Sequence, residues 1–129
     1  MKRFLMVGLV STVVATGALA QSAFSITPTW EGITACSGRP ITSPSPKFTV
    51  ANVPAGTVEL ELKMVDLDAP TFSHGGGKVA YAGKAELPSG AFKFVGPCPP
   101  ATHRSEWTVV ARDAAGKRLG TASATIRYP

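Results

Sequence analysis

The chain has 129 residues but only two cysteines, Cys36 and Cys98, and two histidines, His74 and His103. No Cys/His set stands at zinc-finger spacing, which argues against a structural zinc site. Copper chemistry also lacks ligands. Of three methionines, Met1 and Met6 fall in the N-terminal segment and only Met64 remains. No cofactor is expected. No stretch beyond the N-terminal segment repeats apolar residues at i, i+3 and i+4, so no helix is expected there. There is no internal repeat. No serine sits at a nucleophile elbow with a histidine and an acid placed to serve it, which argues against a hydrolase. Thr102 and Ser105 flank His103 without any such pattern. Past the N-terminus, basic residues are scattered and only Lys117 and Arg118 are adjacent, so no nucleic-acid footprint is visible.

The N-terminal segment has the form of an export signal. Lys2 and Arg3 make a charged head, residues 5–14 an apolar run, and Ala18-Leu19-Ala20 a small-x-small cleavage site. Cleavage after Ala20 leaves residues 21–129 as one domain with no stable membrane span, periplasmic or secreted. It also removes two basic residues from a chain of net charge +5. An exported chain with two cysteines most simply joins them, here Cys36 to Cys98, with a metal site as the alternative. Closing so long a loop stabilises by roughly 4 kcal/mol in the chain-entropy picture.

The mature segment shows short alternating runs bounded by glycine and proline, of which the chain has 13 and 11. This pattern predicts an all-β fold, an antiparallel β-sandwich of Greek-key type with little or no helix. Expected strands fall at residues 24–26, 47–50, 57–65, 78–82, 91–95, 106–112 and 119–128. In the third, Val58, Leu60, Leu62 and Met64 share the core face, while Glu59, Glu61 and Lys63 face solvent. In the sixth, Trp107, Val109 and Ala111 share one face, and Trp30 is also expected in the core. His74-Gly75-Gly76-Gly77 reads as a flexible loop with a solvated histidine.

The densest stretch is Gly96-Pro97-Cys98-Pro99-Pro100-Ala101-Thr102-His103-Arg104. Three prolines make it stiff and exclude regular structure. It therefore holds His103 and Arg104 rigidly at the start of a strand, where binding groups tend to sit.

Two segments carry a family resemblance. Asp66-Leu67-Asp68-Ala69-Pro70 resembles the Asp-Pro-Asp-Ala-Pro signature of the phosphatidylethanolamine-binding proteins. Gly96-Pro97-Cys98-Pro99-Pro100 with His103-Arg104 resembles that family's second signature. Cys36-Ser37-Gly38, Ser43-Pro44 and the segment from Val53 to Thr57 are similar to the lead-in of its bacterial Raf-kinase-inhibitor-like branch. The resemblance implies a β-sandwich with a small anion-binding pocket at one end. Asp66, Asp68 and His103 would lie at the pocket, Pro70, Pro99 and Pro100 would wall it, and His74 would fall loosely at a further pocket position. Arg104 would pair with Asp66 or Asp68 and tie the two signature loops together. The implied ligand is a small anion or lipid headgroup. The alternative is an envelope interaction or structural domain, protease-inhibitor-like, with a vestigial pocket. Leu67 replaces a proline, Ser105 replaces an aromatic, and the segment between the signatures is short.

Overall fold

The computed structural model describes residues 23–31, 39, 41–98 and 102–127. Nine strands follow one another among the described residues: β1 Ser25–Thr29, β2 Thr42–Pro44, β3 Lys47–Ala51, β4 Glu59–Asp66, β5 Gly76–Ala80, β6 Glu86–Leu87, β7 Lys93–Val95, β8 Arg104–Arg112 and β9 Arg118–Arg127. Among the described residues there is no helix. All pairings are antiparallel. The main sheet runs β5-β4-β8-β9; β1-β3-β6 form a second sheet and β2-β7 a two-stranded ribbon. After the β4–β5 hairpin the chain leaves for the other sheets and returns at β8, on the far side of β4. That crossed connection is of the Greek-key kind.

One core joins these layers. Leu60, Leu62, Met64, Trp107, Val109 and Ala111 of the main sheet meet Ile26, Phe48 and Val50 of the second, with Leu87 and Phe94 filling the end. Trp107 sits at the centre, fully buried, with Phe48, Phe94 and Phe92 edge-on to it at centroid distances of 4.9, 5.1 and 6.0 Å. Edge-to-face rings at these separations add to the area they bury. The clamp fixes β8, and with it the residues at its start.

The alternation in β4 holds from Leu60 to Met64. Val58 is the exception: it precedes the strand and is 46% exposed. Thr57 turns back on Pro54 through its amide and its hydroxyl, and Val58 joins the end of the sheet by its backbone, donating to the Arg112 carbonyl and accepting from the Tyr81 amide at 2.9 Å each, with its side chain beyond the core. Trp30 is half-buried; its indole N–H donates to the Arg127 carbonyl at 2.9 Å while the ring packs on the core. β2 and β6 are too short to leave a pattern in the sequence.

The glycine-rich segment departs most from expectation. Gly76 and Gly77 open strand β5, paired with Lys63 and Leu62 of β4. A Cβ at Gly76 would collide with the Leu62 carbonyl oxygen, and one at Gly77 would meet the Phe92 ring. These glycines allow close approach of backbone and side chain. His74 before them is buried at 3% exposure. It bonds the Val95 carbonyl through Nδ1 at 2.6 Å and lies against the Phe72 ring. The expected solvated loop is thus a strand start, because residues without side chains fit where two layers touch.

Two buried polar atoms lack partners among the described residues, Ser105 Oγ and Trp107 Nε1. A buried hydroxyl with no partner costs about 1–3 kcal/mol. Ser105→Ala should therefore leave stability unchanged or raise it by about 1 kcal/mol in chemical denaturation, where a partnered hydroxyl would give a loss. Gly76→Ala should cost about 1–3 kcal/mol in the same assay, the range for overpacked positions.

Candidate functional site

The main sheet ends in a polar corner. β4 and β8 run in register from Glu59 opposite Arg112 to Asp66 opposite Ser105. The Leu67 amide then donates to the Arg104 carbonyl at 2.9 Å, which makes those two a hydrogen-bonded pair. Asp66 and Ser105 are accordingly a non-hydrogen-bonded pair, the type whose side chains stand closest. His103 precedes β8, two residues from Ser105, and so lies on the same face.

Asp66 ties this corner together. Its Oδ1 accepts the amides of Asp68 at 2.9 Å and Ala69 at 3.1 Å, an Asx turn that reverses the chain after β4. Its Oδ2 accepts His103 Nδ1 at 2.7 Å. Burial acts to raise the Asp66 carboxyl, but the hydrogen bonds from His103, Asp68 and Ala69 together with the charge at His103 outweigh it, and its pKa lies below 3.8.

Asp68 faces outward and holds Arg104. Oδ1 accepts Nη2 at 2.9 Å; Oδ2 accepts the Arg104 amide at 2.7 Å and Nε at 3.4 Å. The Arg104 side-chain and backbone bonds lower the Asp68 carboxyl to about 2. The same contact raises Arg104. Of the two acids expected for Arg104, then, Asp68 takes it, and Asp66 takes His103.

The structure brings Asp66, Asp68 and His103 together: their nearest donor atoms lie within 4.8 Å of one another. Two carboxylates and an imidazole could ligate a cation. Here both Asp66 oxygens and both Asp68 oxygens already accept hydrogen bonds, three of them from the charged or chargeable groups of His103 and Arg104. The acids serve to hold the two basic side chains. What the corner offers to solvent is His103 Nε2 and the Nη1 edge of Arg104, neither with a partner among the described residues.

The other expected residues fall elsewhere. Pro70 is exposed at the turn after Asp68. His74 is spent on the Val95 carbonyl and is not joined to the cluster by any hydrogen bond among the described residues. Pro99, Pro100 and Cys36 lie outside the described residues, and so does the expected Cys36–Cys98 pairing. A hollow of about 280 Å³ opens beside Glu61, Leu62, Lys63 and residues 75–78, and none of the expected site residues lines it. Sequence reading missed the division of labour between the two aspartates and the burial of Ser105. The available signal was the aspartate ending an alternating strand with a second aspartate just beyond it: the first stays on the buried face, and the turn it closes carries the second outward.

Both aspartates are depressed in the folded chain. Their contribution to stability is present above about pH 4 and is lost as the pH falls through their folded values, near pH 2 for Asp68. Thermal unfolding followed from pH 5 to pH 2 should show the melting temperature falling below pH 4. In Asp68→Asn the melting temperature should be lower at pH 7 and the acid-induced fall shallower.

Comparison with known proteins bears on the fold and the family. No curated protein matches the chain. A crystal structure of a phosphatidylethanolamine-binding protein homolog from Chlamydia trachomatis is similar in fold: TM-score 0.56 and 20% identity over 84% of this chain and 99% of that one. The sequence pattern of the phosphatidylethanolamine-binding proteins matches residues 20–127, nearly the whole length over which the strands and the Asp66–His103 corner are built, and the chain belongs to that family.

Proposed function

We propose that this protein is an exported binding protein for a small phosphate-like anion or phospholipid headgroup, received at the corner between the 66–70 and 96–104 loops. The observation that carries the reading is the pairing of His103 with Asp66 and of Arg104 with Asp68. Each basic group is steadied from behind by a carboxylate and keeps a nitrogen edge toward solvent. Side chains held this way lose little freedom when they bind, and charge-assisted bonds to phosphate oxygens are the strong ones. With both aspartates ionised beside Arg104, the corner has no net positive charge, which suits a zwitterionic headgroup better than a bare polyanion.

The export reading rests on Lys2, Arg3, the apolar run and the Ala18-Leu19-Ala20 site. Compartment and bridge go together: in an oxidising space Cys36 and Cys98 would form a disulfide that anchors the stiff loop ahead of His103. The protein acts by binding, without turnover. A membrane contact, if made, would be peripheral, since no helix among the described residues is long and apolar enough to cross a membrane.

Titration with phosphoethanolamine, inorganic phosphate and phosphatidylethanolamine vesicles separates the ligand sources. Binding of at least one is expected, with a loss of tenfold or more in affinity for His103→Ala, about 1.4 kcal/mol. The reading fails if none of the three binds, or if the His103 variant binds as tightly as the native chain.

A further inference from the structure

The Asp66–His103 contact has a consequence for the form of the ligand. Asp66 cannot turn away from the ring, because its Oδ1 is fixed by the amides of Asp68 and Ala69. Its Oδ2 stands 2.7 Å from His103 Nδ1. An ionised carboxylate only accepts hydrogen bonds, so the proton of that bond belongs to Nδ1. A neutral imidazole has one N–H, and which nitrogen keeps it is set by the partner of the other. Neutral His103 therefore carries its proton on the buried side and turns a lone pair outward at Nε2.

A fully ionised phosphate oxygen would meet that lone pair with another. The charged groups around the ring do not change this. The groups that face the ring are Asp66 on β4, Asp68 on the following turn, Arg104 beside it and Ser105 on the same face of β8, and none of them moves the proton off Nδ1. Arg104 can supply donors to the ligand, but His103 can do so only when both its nitrogens are protonated.

We propose that this site takes its phosphate-like ligand together with one proton, held between a ligand oxygen and His103 Nε2. The proposal rests on the binding reading above and goes further: it specifies the protonated form of the complex and couples affinity to pH. No covalent bond changes. The proton comes from solvent, and either the ligand oxygen or the ring nitrogen carries it in the complex. A phosphomonoester, whose second proton leaves near pH 6, is the ligand class for which the coupling is felt at neutral pH.

Three measurements test this. In the ligand-free protein, long-range ¹⁵N–¹H correlation of the imidazoles should show His103 as the Nδ1–H tautomer when neutral; an Nε2–H tautomer overturns the proposal without any ligand. Calorimetric titration with phosphoethanolamine at pH 8, in buffers of different ionisation enthalpy, should give close to one proton taken up per ligand bound. Affinity should then fall about tenfold per pH unit above neutrality. Binding with no proton uptake overturns the proposal but leaves the binding reading standing; no binding at pH 6 removes the binding reading itself.

Asp66→Asn supplies the internal control. Its amide oxygen can still accept the Asp68 and Ala69 amides, while its NH₂ faces His103 Nδ1 and pushes the ring proton to Nε2. Neutral His103 then becomes a donor. The variant should bind phosphoethanolamine with proton uptake reduced to near zero and a flat affinity from pH 7 to pH 9. Uptake equal to that of the native chain would show that Asp66 does not set the tautomer and would overturn the proposal.

Discussion

The polar corner of this protein depends on the pairing of β4 with β8. Their ladder runs without interruption from Glu59 opposite Arg112 to Asp66 opposite Ser105, and its last closure is the Leu67–Arg104 hydrogen bond. A slip of one residue would turn Leu60, Leu62 and Met64 outward and, in the same movement, turn Asp66 away from His103. The apolar side chains of the two strands therefore set the register that delivers two acids and two bases to one corner. The aromatic clamp on Trp107 makes that register costly to leave.

The corner itself divides in two at the turn. Asp66 is buried and His103 half-buried, and burial strengthens the hydrogen bond between them. Asp68 and Arg104 point out, where solvent screens their attraction and geometry matters more than charge. Within a few residues the chain thus makes one tight, oriented pair and one exposed, adaptable pair.

Much of this was legible in the sequence wherever a period-two pattern was long enough to exclude other readings. Leu60-x-Leu62-x-Met64 and Trp107-x-Val109-x-Ala111 set the two central strands and their buried faces. The Asp-x-Asp turn and the His103-Arg104 pair were visible as site material. Three kinds of feature were not. β2 and β6 are two or three residues long and carry no period. Val58 continues the alternation in letters, yet it sits at the very end of the sheet, directly after the turn Thr57 makes with Pro54, where its side chain lies beyond the core. Most instructive are His74 and its glycines: composition suggests mobility, yet the absence of side chains is what lets β5 press against Leu62 and Phe92. Composition speaks for the isolated chain, and the packed layers reverse its meaning.

Asp66 serves two masters. One oxygen closes the turn that ends β4 and the other orients the histidine, so a single carboxylate is shared between folding and the proposed site. Selection acting on ligand preference cannot alter this residue freely, since most replacements would loosen the turn as well. Variation in what the site accepts should therefore accumulate around the aspartate rather than at it, in the positions flanking the histidine. Ser105, whose hydroxyl has no partner among the described residues, is one such position, and its full burial confines the change to small side chains.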